Sequence, residues 1–177
     1  MKPDSPLCGK TTCLRPPAAK DVPFLCELRN DVELQMQLMA QPRANTPERV
    51  GKWIERMTED KQSLFYIIAR RRTGAPAGYI QLTQIDVMHG HGELGICIAR
   101  EAQGLGHGRE ALALIENYAS SVFNLRKILL KVLAENRPAT ALYQKTGYRT
   151  VGVLSRHYYQ KGIYNDVVVM EKFLGTE

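Results

Sequence analysis

Gln103-Gly104-Leu105-Gly106-His107-Gly108 decides the reading of this chain, because it joins a strand to a helix through three glycines. Upstream, Glu93-Leu94-Gly95-Ile96-Cys97-Ile98-Ala99 reads as a short buried strand. Downstream, Leu105, Leu112, Ile115, Tyr118, Ala119 and Val122 recur at helical spacing. A glycine-rich turn that opens a helix leaves backbone N–H groups at the positive end of the helix dipole, where a phosphate binds well. Glycine permits the backbone angles and the close approach that such a cradle needs.

Two phosphate loops are excluded by spacing. In the dinucleotide fingerprint G-x-G-x-x-G the third glycine would come one residue later than Gly108. Gly9-Lys10-Thr11 supplies only the end of a P-loop: Asp4 stands where its first glycine belongs, Pro6 lies inside it, and no strand precedes it. The spacing Gln103-x-x-Gly106-x-Gly108 instead resembles the acyl-CoA pyrophosphate loop of the GNAT superfamily of N-acyltransferases. A second block carries the same resemblance. After the strand-like Lys127-Ile128-Leu129-Leu130-Lys131-Val132-Leu133 come Asn136, a helix holding the pair Leu142-Tyr143, and then Gly147-Tyr148. Asn136 suits an N-cap, Pro138 the first helical turn and Gly147 a helix stop. Together the blocks identify the chain as a GNAT member over about residues 12 to 174.

Further out, residues 11–15 read as a strand, 18–30 and 32–40 as helices, and 46–58 as a helix capped by Thr46 with Pro47 at its first position. Val50, Trp53, Ile54 and Met57 fall on one face of that third helix. Strands at 63–70 and 77–86 flank a Gly-Pro turn, residues 87–92 form a loop, and strands at 150–159 and 163–173 close the chain. Residues 1–10 read as a disordered lead-in and 11–177 as one domain. The order predicts an α/β fold: a mixed, mostly antiparallel central sheet with helices on both faces. The resemblance implies that this sheet splays at the cofactor site and that pantetheine enters the gap like an extra strand.

Composition narrows the function classes. No apolar run approaches membrane-spanning length, and the amino terminus lacks the apolar segment of a secretory signal. The net charge of +6 raises nucleic acid as a partner, yet no aromatic residues interleave with the basic ones and no nucleic-acid motif is present. The four cysteines, Cys8, Cys13, Cys26 and Cys97, form no metal-binding spacing; a disulfide framework is not expected, and idle thiols in a reducing cytoplasm are. No metal is expected. Cys97 reads as a small hydrophobe rather than an acyl relay.

The chemistry implied is acetyl transfer from acetyl-CoA, as co-substrate, to a primary amine by direct attack, without a covalent enzyme intermediate. The resemblance places the loop backbone of Gln103, Gly104, Leu105, Gly106, His107 and Gly108 at the pyrophosphate. It places Ile96, Cys97 and Ile98 along pantetheine, and Asn136 at a cofactor amide besides its role as cap. Tyr143 matches the tyrosine that protonates the departing thiolate. Glu93 is the base candidate; a strand-end glutamate held in a salt bridge is the alternative. Arg29, Asn30, His89, Tyr159 and Asp166 are the acceptor-side candidates, with His91 and Tyr164 near them. The resemblance runs to a branch with ribosomal-protein alanine, spermidine and amino-sugar-nucleotide acetyltransferases. Leu28-Arg29-Asn30-Asp31 puts an amino-sugar nucleotide first as acceptor. A polyamine, a protein N-terminus, an amine antibiotic, or a non-catalytic acyl-CoA-binding module remain as alternatives. A homodimer through the terminal strands or helix faces is compatible with the sequence.

Overall fold

The computed structural model describes residues 7–175. Seven strands form one sheet in the order β1-β2-β3-β4-β5-β7-β6. β1 spans Thr12–Arg15, β2 Leu64–Arg70, β3 Pro76–Asp86, β4 His91–Ile98, β5 Lys127–Leu133, β6 Arg149–Gln160 and β7 Ile163–Phe173. Five of the neighbour pairs are antiparallel, and β4 with β5 is the parallel one. The helices are α1 Val22–Asn30, α2 Val32–Gln37, α3 Pro47–Glu59, α4 His107–Phe123 and α5 Arg137–Lys145.

Local chemistry explains the boundaries. Thr46 accepts a hydrogen bond from the Arg49 amide and Pro47 opens α3; Asp31 accepts from the Leu34 amide and starts α2. α4 ends at Asn124 with φ +53. The stripe of α4 that meets the sheet is Ala111, Leu112, Ile115 and Ala119, all fully buried. Leu105 and Val122, expected in that stripe, are exposed: Leu105 precedes the helix and Val122 points away from the sheet. Helices cover both faces. On β2, Phe65 meets Trp53 of α3 edge-on at 5.0 Å, whereas its neighbour Tyr66 meets Tyr118 of α4 at 6.1 Å, because alternate strand residues face opposite ways.

The sheet is open in the middle. β4 and β5 pair through three residues, His91–Lys127, Gly92–Ile128 and Glu93–Leu129, and then diverge. β4 continues unpaired on that side to Ile98 and β5 to Leu133, while their outer edges stay bonded to β3 and β7.

Three sequence expectations change. His91 opens β4 opposite Asp86 and Lys127 instead of sitting in a loop. Within the expected lead-in, residues 1–6 lie outside the described residues, but residues 7–10 are held in place. Leu7 is buried, and Glu110 accepts hydrogen bonds from the Lys10 and Thr11 amides and, at 2.7 Å, from the Thr11 hydroxyl. Finally, Cys8 and Cys13 are joined as a disulfide across the turn that precedes β1, which brings their Cα atoms within 4.1 Å; Cys26 and Cys97 are free thiols.

Candidate active site

The glycine loop sits at the open end of the divergence. Gly104 and Gly106 have φ of +74 and +86, and a Cβ on either would meet no protein atom within 4 Å. They serve the backbone angle and leave the space above the loop clear. Gly108 differs: its Cβ would lie 3.3 Å from Leu142 and 3.7 Å from Ile98, so this glycine lets α4, α5 and β4 converge. Among the described residues, no protein acceptor is bonded to the amides of residues 104–109; the first one engaged is Glu110, which donates to the Gly106 carbonyl. Six successive N–H groups at the start of a helix of seventeen residues form an anion cradle.

Side chains around the loop hold it rather than face the cradle. Gln103 donates from Nε2 to the Ile98 carbonyl at 3.0 Å, tying the loop to the end of β4. His107 is buried, and its Nδ1 lies 2.8 Å from the buried Thr12 hydroxyl, so it anchors α4 to β1. Asn136 accepts from the Ala139 amide at 3.2 Å as the cap of α5, and its Nδ2 bonds to no described residue. Tyr143 lies on α5, almost wholly buried, edge-on to Tyr148 at 5.7 Å. Burial pushes its phenol up to about 12, so it stays protonated at neutral pH. Its hydroxyl bonds to no described residue, yet it is not sealed in.

Glu93 occupies the last paired rung and forms an ion pair with Lys131 across the opening, at 3.1 Å. Cys97, four residues on, points to the same face of β4. It is buried, and burial pushes its thiol up to about 12, which removes the thiolate that a relay would need. Beside it lie Tyr79, Arg29 and Gln35, so this face of β4 is roofed by α1, α2 and α3.

A cavity of about 320 Å³ opens there, lined by Arg29, Gln35, Gln41, Arg43, Asn45, Arg49, Trp53 and Arg56. The guanidinium of Arg29 lies 4.3 Å from the centre of the Trp53 ring. Asn30 does not line the cavity; its side chain bonds both the amide and the carbonyl of Asn45, at 2.9 and 3.0 Å, and so fixes the segment that carries the rim. His89 sits at the far end of β4, about 23 Å of strand from Ile98, bound to Asp86 at 2.8 Å. Asp166 accepts from the Arg156 amide at 2.7 Å and stabilises an irregularity in β6. Tyr159 is exposed and pairs with Tyr164, ring to ring at 5.0 Å. Neighbouring contacts of the same hairpin reach the acceptor side: Lys161 bonds Glu33 of α2 at 2.7 Å, and the Tyr158 hydroxyl donates to the Ala40 carbonyl. The rim arginines beyond Arg29, and Lys131, were not singled out in the sequence. They come from separate segments: the arginines from the loop after α2 and from α3, and Lys131 from β5. Among the described residues, no group of three or more His, Cys, Asp or Glu could hold a metal, and no helix is long and apolar enough to cross a membrane.

A sheet split beside an amide cradle, with a protonated phenol on the adjoining helix, defines an acyl-CoA-dependent transferase. The chain belongs to the acetyltransferase (GNAT) domain family, whose profile matches residues 12–149. It is 27% identical over 157 residues to spermidine N(1)-acetyltransferase of Escherichia coli, covering 89% of this chain and 83% of that protein. Over 86 residues it is 33% identical to an N-alpha-acetyltransferase of Sulfurisphaera tokodaii, covering 48% and 51%. The structure superposes with a TM-score of 0.87 on spermidine N-acetyltransferase from Vibrio cholerae, solved with CoA and spermine, at 25% identity and covering 94% and 97% of the two chains. Spermidine, the amine for which two of these relatives are named, is among the alternatives raised by the sequence; the amino-sugar nucleotide put first is named for none of the three.

Proposed function

We propose that this protein moves the acetyl group of acetyl-CoA directly to a primary amine of a small molecule. The observation that carries the reading is the divergence of β4 and β5 beside six unengaged amides at residues 104–109. The diphosphate of CoA fits the cradle, and its amide-bearing arm fits the unpaired edge of β4 around Ile96, Cys97 and Ile98. The thioester is thereby aimed between the Tyr143 side and the face that Glu93 shares with Cys97.

An alkyl ammonium must lose a proton before it can attack. Glu93 is placed to accept that proton through water, and Lys131 holds its carboxylate in position. A backbone N–H of the open β4 edge stabilises the oxyanion as it forms. Collapse of the tetrahedral intermediate expels the CoA thiolate, and the Tyr143 phenol supplies its proton. The dependence on acetyl-CoA supports the cytoplasm as the compartment.

The test is thiol release from acetyl-CoA with a panel of amines that includes spermidine, supported by the relatives, and an amino-sugar nucleotide. At least one amine should accelerate release and appear in acetylated form by mass spectrometry. Tight CoA binding with no amine accelerating release would replace the enzyme by a non-catalytic acyl-CoA-binding module.

A further inference from the structure

The cavity roofed by α1, α2 and α3 has a charge that a polyamine does not match. Four of its lining residues are arginines, and none is a carboxylate. Among the described residues, none of the four guanidiniums of Arg29, Arg43, Arg49 and Arg56 has a carboxylate within 4.0 Å. The two carboxylates at the start of α2 are engaged, Asp31 with Arg100 at 2.6 Å and Glu33 with Lys161 at 2.7 Å, and Glu27 of α1 and Glu48, Glu55 and Glu59 of α3 do not line the cavity. Four like charges around about 320 Å³ repel one another and produce a focused positive potential, and either effect is relieved by an anion. Arginine is suited to that partner, since its planar fork binds carboxylate or phosphate through paired hydrogen bonds.

The site is also positioned to select an acceptor. Arg29 is oriented by Trp53 beneath it and by Asn45 Oδ1 at 3.4 Å from its Nε. The floor runs through Gln35 and Tyr79 to Cys97, on the part of β4 that has no β5 partner. The cavity therefore lies on the face of β4, and over the part of that strand, beside which the thioester would lie.

We infer that this cavity holds an anionic group of the acceptor, so that the substrate is a primary amine bearing a phosphate or carboxylate and a polyamine is a poor substrate. The inference rests on the acetyltransferase reading for its location, but its test does not need turnover. Trp53 is the single tryptophan of the chain, and its fluorescence reports the cavity. The protein is first saturated with CoA to fill the glycine loop, then titrated with inorganic phosphate, pyrophosphate, succinate or spermidine.

The expected result is a saturable Trp53 response to an anion. A response to phosphate or pyrophosphate assigns a phosphate-bearing amine, and a response to succinate a carboxylate-bearing one. The double variant Arg43→Gln, Arg49→Gln should weaken that binding by about tenfold or more. Both side chains are exposed and, among the described residues, bond only to Gln41 and the Ala44 carbonyl; Arg56→Gln, whose side chain bonds to no described residue, is a second variant. No response to any anion, an undiminished response in both variants, or saturation by spermidine would overturn the inference. Failure of every amine to release thiol would count against the transferase reading and leave the titration to be judged separately.

Discussion

Gly106 is required for its backbone angle alone. Its φ of +86 costs a side-chain-bearing residue about 1–2 kcal/mol, and a Cβ there meets no atom of the described residues within 4 Å. Gly106→Glu should therefore leave a folded protein whose CoA affinity, measured by calorimetry, is lost, because bulk and negative charge enter the cradle. Unchanged affinity would move the cofactor elsewhere. Tyr143→Phe should lower kcat by about a hundredfold with little change in KM, as expected when a proton donor to the leaving group is removed. Glu93→Gln should depress the rate most at low pH, where the amine stays protonated, and a pH profile identical to the parent would reassign the base. These residues differ in how readable they were. Glycines at positive φ and a capping asparagine follow from local backbone rules. The engagement of Glu93 by Lys131 does not, since it joins different strands across a gap that no local pattern marks.

At the scale of elements, the segment before β1 and helix α4 are fastened by one carboxylate. Burial works to raise the Glu110 carboxyl, but hydrogen bonds from Thr11 and its neighbours outweigh it and hold the group at about 2. A carboxyl whose folded value lies below its ordinary 4.5 stabilises the fold above that pH, and the contribution fades as pH falls toward about 2. Glu110→Gln should thus lower the thermal midpoint at neutral pH and flatten its decline over the acid range; an unchanged acid limb would remove the fastening role. Thr46→Ala should cost about 1 kcal/mol through loss of the α3 cap, read by urea unfolding. Element order and caps were legible because periodicity and capping are local. The acceptor cavity was not, because its rim comes from α1, α3 and the turn between α2 and α3, and only packing against Tyr79 and Phe65 brings them together.

For the whole molecule, the fold divides its two recognition tasks between the faces and ends of one sheet. On the proposed reading the CoA diphosphate sits at the amides at the start of α4 and the acceptor beneath α1 to α3; the hairpin of β6 and β7 is fastened to α2 through Lys161 and Glu33. CoA at about a hundred times its dissociation constant should add about 2.7 kcal/mol, a rise of about 5–10 °C in Tm, that Gly106→Glu does not show. The gap between β4 and β5 has one more outcome. An edge with unmet ladder bonds ordinarily lies at a sheet's rim, where stray chains can attach; here one lies at the centre, where the proposed cofactor arm would complete it. Shelf life in the purified state should accordingly track nucleotide content: preparations stripped of CoA should be first to turn turbid on storage.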